Sequence, residues 1–190
     1  GEDISPLKTT VRENLHLVPA GEFLLDVENS SRQPELIMRR LRYAVCERLA
    51  EDSAYRIIMD TPSFPGVLYQ SAVAVADEVI IPVVPDYLAL LSLSRIVEQL
   101  RQIEKERMKS FRILLVIGRY QPKRKLAIEV REKLLAYFPG KVIKTMVREC
   151  PLFAEAPSFK KTIFEYRPKS TGAQDYNELA LDLINERMAA

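Results

Sequence analysis

Apolar runs of strand length alternate with amphipathic stretches of helix length along nearly the whole chain, and no other feature restricts the fold as much. This is the rhythm of βαβ units, in which helices join parallel strands and cover both faces of one sheet. LHLVPA (15–20) predicts a strand, followed by a polar stretch and a helix from about Ser31 to Ala50. Pro34 falls near that helix's first turn, where a missing N–H is harmless. RIIMD (56–60) predicts the next strand and residues 66–76 a helix. VIIPVV (79–84) is apolar at every position and predicts a central strand, although Pro82 cannot donate to a ladder and suits an edge or bulge. Ala89, Leu93, Ile96, Leu100 and Ile103 recur at three- and four-residue spacing, which predicts one long helix over 87–107. FRILLVIG (111–118) predicts a strand, 124–138 a helix and KVIKTMV (141–147) the last strand. A loop containing Pro151 and Pro157 leads to a final helix starting at Thr171. There Thr171 and Gln174 match a capping box, and Tyr176, Leu179, Ala180, Leu183 and Ile184 form the apolar face. The expectation is a single α/β domain over 1–190, a mostly parallel sheet with helices on both faces.

With 190 residues, 47% of them hydrophobic and 28% charged, the chain can bury a sizeable core. No apolar run approaches the roughly 18–20 residues that span a bilayer, and the start, GEDISPLKTT, has no signal-peptide pattern. A soluble cytoplasmic protein without membrane attachment is expected. Cys46 and Cys150 have no CxxC or CxxH spacing and His16 is the sole histidine, which speaks against a zinc site or a His-based triad. His16 itself reads as a strand residue between Leu15 and Leu17.

The net charge of +2 hides a strong asymmetry. Residues 109–169 hold 15 Lys plus Arg against 5 Glu, a balance of +10; the remainder holds 28 − 15 = 13 basic and 26 − 5 = 21 acidic residues, or −8. Such segregation favours a polyanionic partner for the later part, the alternative being helix faces that are basic only for solvation. Lys123, Arg124, Lys125, Lys160, Lys161, Arg167 and Lys169 are the candidate phosphate contacts.

In sheets of this kind ligands sit outside the carboxyl ends of the strands. Asp60, Pro85-Asp86, Gly118-Arg119-Tyr120 and the loop after Met146 all fall at predicted strand ends. A carboxylate closing an apolar run, as in YRIIMDTPSFPG (55–66), needs a cation, a phosphate or water; an N-cap for the next helix is the other reading of Asp60.

These residues carry a resemblance to the ParA/MinD family of deviant-Walker P-loop ATPases, and within it to the ParA/Soj partition proteins. NLHLVPA (14–20) looks like the family's N-L-x-L-I-P-A, and YRIIMDTPS (55–63) like its Y-D-x-I-I-I-D-x-P-P. ADEVIIPVVPDYLALLSLSRIVEQL (76–100) matches A-D-x-V-L-I-P-V-x-P-x-x-x-A-L-x-G-L. FPGKVIKT, AEAPSF and YRPKSTGAQDYNELA are similar to F-x-x-K-V-x-x-T, A-E-A-P-S and Y-x-P-x-S-x-G-A-x-x-Y-x-x-L-A. The resemblance implies that Asp60 is the Walker-B-type carboxylate holding Mg2+ through water, that Thr61-Pro62 begins a γ-phosphate-sensing switch, and that Gly118 and Arg119 lie near the nucleotide. It also implies ATP as ligand, an ATP-dependent homodimer, non-specific DNA binding, a ParB-like partner and nucleoid association.

Departures from the family pattern are specific. K-G-G-x-G-K-T-[ST] is absent, and Gly140-Lys141 is a decoy because Val142 follows where Ser or Thr is needed. The match begins in mid-family, so two βα units, on the order of 60 residues, are expected upstream. Ser63 replaces the second proline of D-x-P-P, Gly118 stands where an adenine-contacting side chain is common, and VRECP (147–151) replaces I-P-R-N-V. Two functions follow: a partition ATPase in a longer form, inactive as this chain, or a non-hydrolysing ParA-like adaptor acting by protein–protein contact.

Overall fold

The structure is a computed structural model, and it describes residues 9–21, 26, 34–43, 56–62 and 66–189. Cys46 and Ser63 lie outside the described residues, as do parts of the helix predicted over 31–50. The chain divides into two compact units, residues 1–77 with 103–110, and residues 78–102 with 111–190.

In the first unit, strands β1 (Thr9–Arg12) and β2 (Leu15–Leu17) pair antiparallel, with Thr9 opposite Leu17. LHLVPA was expected to enter the parallel sheet, and instead its first three residues form half of an exposed hairpin. The cause is local: Asn14 takes a left-handed backbone (φ 57°), which asparagine tolerates and which folds the two strands back on each other. Helix α1 (Pro34–Arg42) precedes α2 (Val67–Val75). The Arg107 guanidinium donates to the carbonyls of Val73 at 2.9 Å and Ala76 at 2.8 Å, satisfying carbonyls at the C-terminal end of α2. Residues 56–60 carry no strand, against expectation, and Ile58 is 92% exposed. An isolated strand has nothing to satisfy its backbone, and no ladder partner for this run occurs among the described residues.

The second unit is built on β3 (Glu78–Val83) and β4 (Arg112–Ile117), parallel and in register from Glu78 opposite Arg112 to Val83 opposite Ile117. Helix α3 (Tyr87–Arg107) has the predicted bounds and buries Leu93, Val97 and Leu100; its last residues, from Ile103, belong to the first unit. Helix α4 (Lys125–Tyr137) buries Ala127, Val130 and Leu134. Every residue from Ile113 to Ile117 is buried, so β4 is covered on both faces. On one face Leu114 and Val116 form a cluster with Ile143, Val147 and Leu179, against which Phe153, Leu183 and Met188 pack.

VIIPVV is not a central strand among the described residues: β3 pairs only with β4, and Ile80, Pro82 and Val84 are exposed. The Gly118 N–H donates to the Val83 carbonyl at 3.0 Å, which aims the backbone of odd residues at β4. The Pro82 nitrogen therefore faces the other edge, where no hydrogen is missed.

After α4 the chain returns beside β4 as a broken strand rather than the regular one predicted over 141–147. The Ile143 N–H donates to Leu115 and the Val147 N–H to Ile117, so four residues of this segment span two of β4. Thr145, in the bulge, gives its N–H (2.9 Å) and hydroxyl (2.6 Å) to Asp182. Asp182 sits on helix α7 (Thr171–Ile184), which follows the short α5 (Leu152–Glu155), a 3-10 turn (Ala156–Phe159) and α6 (Ile163–Tyr166). The cap of α7 is Ser170, whose Oγ accepts from the Ala173 N–H, not the predicted Thr171 box. Its buried face is Gly172, Ala173, Asp175, Leu179 and Asp182, while Tyr176, Ala180 and Ile184 stay exposed. A side chain at Gly172 would have to displace Phe153, since a Cβ there would stand 2.6 Å from its ring.

Asp182 is 1% exposed, and Arg187 Nε lies 2.7 Å from its second oxygen. Asp182→Ala is expected to strand the Thr145 donors and cost about 3 kcal/mol, read as a lowered urea midpoint. A loss below about 1 kcal/mol would mean that the bulge is held by packing alone.

Candidate functional site

At the carboxyl ends of β3, β4 and the 141–149 segment, three loops of the second unit lie side by side. The first is spent on structure: Asp86 Oδ1 accepts from the Ala89 N–H at 2.7 Å and caps α3. In the second, Gly118 has open space where a Cβ would be, so nothing steric forces a glycine. Arg119 adopts a left-handed backbone (φ 49°), and Tyr120 is buried, exchanging backbone hydrogen bonds with Val147 and Glu149. In the third, Glu149 accepts from Arg119 Nη2 at 3.1 Å and from the Gln121 side-chain amide. Gln121 and Arg119 together hold the Glu149 carboxyl below its usual range. The pattern search passed over Glu149; its signal was a carboxylate and an arginine at the ends of adjacent parallel strands.

Beneath this rim, Asp175 accepts both Arg148 Nε (2.9 Å) and Nη2 (2.6 Å), and also the Arg148 backbone N–H at 2.9 Å. Burial pushes the Asp175 carboxyl up, and the Arg148 hydrogen bonds and charge outweigh it, holding the group below the ordinary carboxylate value. The pair fastens the start of the third loop to α7.

Asp60, Thr61 and Pro62 belong to the first unit. Asp60 is exposed and has no hydrogen bond or ion pair among the described residues. It is not the cap of the next helix: α2 begins at Val67 with Gly66 at the N-cap. One free carboxylate oxygen pair suits a magnesium ion bound through water. No group of three or more metal-ligating side chains occurs among the described residues, nor a glycine-rich run whose N–H groups could cradle phosphates. The described residues thus offer one unpaired carboxylate for a cation and no cradle for phosphates.

The candidate phosphate contacts are all exposed. Lys123 and Arg124 form the turn into α4, and Lys125 lies 3.9 Å from Glu129 one turn on. Lys160 ends the 3-10 turn, Lys161 follows, Arg167 lies over the Tyr166 ring, and Lys169 precedes α7. A groove of about 310 Å³ between α3 and α4, lined by Tyr87, Leu90, Leu91 and Tyr137 among others, contains none of the predicted site residues.

Residues 3–113 match the family model described as AAA domain. The chain is 31% identical over 184 residues to the sporulation initiation inhibitor protein Soj of Bacillus subtilis, covering 95% of this chain and 71% of that protein. It is 28% identical over 188 residues to the chromosome-partitioning ATPase Soj of Treponema pallidum, with the same coverage of each. The chain belongs to the ParA/Soj family of partition ATPases. A solved putative plasmid partition protein of Borrelia burgdorferi, bound to AMPPNP, superposes with a TM-score of 0.71 at 16% identity, covering 97% of this chain and 69% of that one. The fold is accordingly the α/β fold of P-loop partition proteins, and the ParA/Soj family is one of nucleotide-binding ATPases. No helix among the described residues is long and apolar enough to cross a membrane.

The lowered Asp175 carboxyl fixes the sign of one pH effect. Its stabilisation is complete above the unfolded value near 3.9 and disappears as pH falls through the lower folded value. The gap in urea midpoint between wild type and Asp175→Asn should be widest near pH 7 and should close progressively below about pH 4. A gap of constant width would assign the effect to shape, not charge.

Proposed function

We propose that this chain works as part of a ParA-type partition ATPase, a single ATPase-like domain over 1–190 that forms a homodimer in the ATP-bound state. The dimer holds DNA without regard to sequence, and a ParB-like protein stimulates hydrolysis and release. In this reading Asp60 holds Mg2+ through water, Thr61 and Pro62 open the switch loop, and Gly118 and Arg119 border the nucleotide. The protein is cytoplasmic and follows the nucleoid.

The observation that carries the DNA part is how the cations of 109–169 are sorted. Lys109 meets Asp77, Arg112 meets Glu78 and Glu186, Arg119 meets Glu149, and Arg148 meets Asp175. Lys123, Lys160, Lys161, Arg167 and Lys169 form no ion pair among the described residues, and Arg124 forms none although its charge acts on Glu149; Arg131, Lys133, Lys141 and Lys144 form none either. Cations left exposed and unpaired are those that can release counterions from a phosphate backbone.

In a form carrying the P-loop and bound to ATP, reversing charge at Lys123, Arg124 and Lys125, or at Lys160 and Lys161, should weaken duplex binding equally for all sequences. Each lost contact should flatten the plot of log affinity against log salt by roughly 0.9. Arg39, Arg40 and Arg42, exposed at the end of α1, are the control. Equal losses from the control would reduce the basic segment to a solvated surface.

The adaptor reading is favoured by one observation, that Arg119 is already engaged by Glu149 where a nucleotide-facing side chain is expected. Asp60→Ala decides between the two: in the P-loop form it should abolish magnesium-dependent turnover with the fold intact. Absence of any turnover in the unmutated P-loop form would establish the adaptor.

A further inference from the structure

The segment 159–169 has two features that duplex binding does not use. Phe159 and Tyr166 lie nearly face to face, with ring centroids 5.0 Å apart and planes 19° from parallel, and the Arg167 guanidinium lies 5.3 Å from the Tyr166 ring. Phe159 nevertheless remains 59% exposed, so much of its surface is open. Lys160, Lys161, Arg167 and Lys169 are exposed around this stack. The carboxylate of the stretch, Glu165, accepts from the Thr162 N–H at 2.7 Å, and Glu155, just before it, accepts from the Tyr166 hydroxyl at 3.1 Å. The second feature is Lys160 itself, which holds a left-handed backbone (φ 53°, ψ 34°) at the end of the 3-10 turn. Glycine occupies that conformation without strain, so the lysine carries a backbone cost there, as four other non-glycine residues among the described ones do at their own positions.

We propose that the Phe159–Tyr166–Arg167 stack is a platform for an unpaired base, so that this chain holds single-stranded nucleic acid, with Lys160, Lys161 and Lys169 on its phosphates. An aromatic already stacked on one side presents its open side to the next π surface, and every base has one. Bases inside a duplex are stacked on each other and cannot reach the ring, so the aromatic contribution exists only for unpaired strands. The cations then supply affinity and the ring supplies the preference for strand type. The inference deepens the nucleic-acid reading above and rests on it in taking phosphate as the partner of these cations.

The test uses this chain without nucleotide, a labelled oligothymidylate of about 20 nucleotides and a duplex of equal length, read by fluorescence anisotropy. The oligothymidylate should bind more tightly than the duplex. Phe159→Ala should weaken oligothymidylate binding on the order of tenfold and leave duplex binding unchanged, while Phe159→Trp should retain both. Lys160→Gly should raise the melting temperature by about 2–4 °C through relief of the left-handed backbone. The same change should weaken oligothymidylate binding and flatten its salt dependence by roughly 0.7. No preference for the single strand, or equal losses for both probes in Phe159→Ala, would overturn the proposal. So would binding to phosphatidylserine-containing vesicles that Phe159→Ala abolishes while oligothymidylate binding persists, since the ring would then be a lipid anchor. Failure of the Lys123–Lys125 reversals to affect the ATP-bound form would sink the duplex reading and leave these comparisons standing.

Discussion

Asp182, a carboxylate buried on the inner face of the last helix, decides how the second unit closes. A charge so placed is costly unless it is hydrogen-bonded and paired, and here the Thr145 amide and hydroxyl donate to one oxygen while the Arg187 guanidinium lies 2.7 Å from the other as an ion pair. In return the segment beside β4 can leave its ladder and rejoin it at Val147 with the Thr145 amide still bonded. Everything beyond the bulge inherits that offset. Arg148 reaches Asp175, one helical stripe along from Asp182, and Glu149 comes to stand beside Tyr120, within reach of Arg119 and Gln121. The rim of the sheet is thus arranged by two carboxylates on a helix whose own residues contribute nothing to that rim.

The sequence pattern made the helices legible and misjudged strands that depend on a neighbour. Helix α3 carries its burial stripe in local spacing, and Tyr87–Arg107 was found with its bounds. A strand has no such autonomy, because its backbone is satisfied only by another strand. RIIMD and LHLVPA have the composition of inner strands, yet the former carries no ladder and the latter begins in an antiparallel hairpin set by one left-handed asparagine. The P-loop motif that the family resemblance calls for is not part of this sequence, and it is in the first unit that the pattern and the structure part most.

The final helix shows a subtler misreading. Ranking residues by hydrophobicity selected Tyr176, Leu179, Ala180, Leu183 and Ile184; Leu179 is buried and Leu183 packs against the core, while the other three are exposed, so the predicted face is rotated from the true one. Asp175, Leu179 and Asp182 recur at four and three, the spacing of a buried stripe, and only the assumption that stripes are apolar concealed it. Hydrogen-bonded carboxylates are admissible in such a stripe when the facing segment offers donors, and a broken strand offers more of them than a regular one. Gly172 belongs to the same logic: the helix approaches Phe153 so closely that a side chain there would have to displace the ring.

Of the site itself, the charge asymmetry was visible in composition, but its meaning was not. Five Glu cannot neutralise fifteen cations, so which cations remain unpaired depends on the carboxylates that the fold brings beside them. Lys109, Arg112, Arg119, Lys125 and Arg148 meet carboxylates, several of them supplied by the acidic remainder: Asp77, Glu78, Asp175 and Glu186. Those on the turn at 123–124 and along 160–169 meet none among the described residues. Exposed pairs stabilise a fold by little, so the carboxylates do more to determine which cations remain free than to hold the domain together. The free cations on the turn at 123–124 and along 160–169 lie on loops and short turns, where a phosphate backbone can be contacted without moving any long helix or strand.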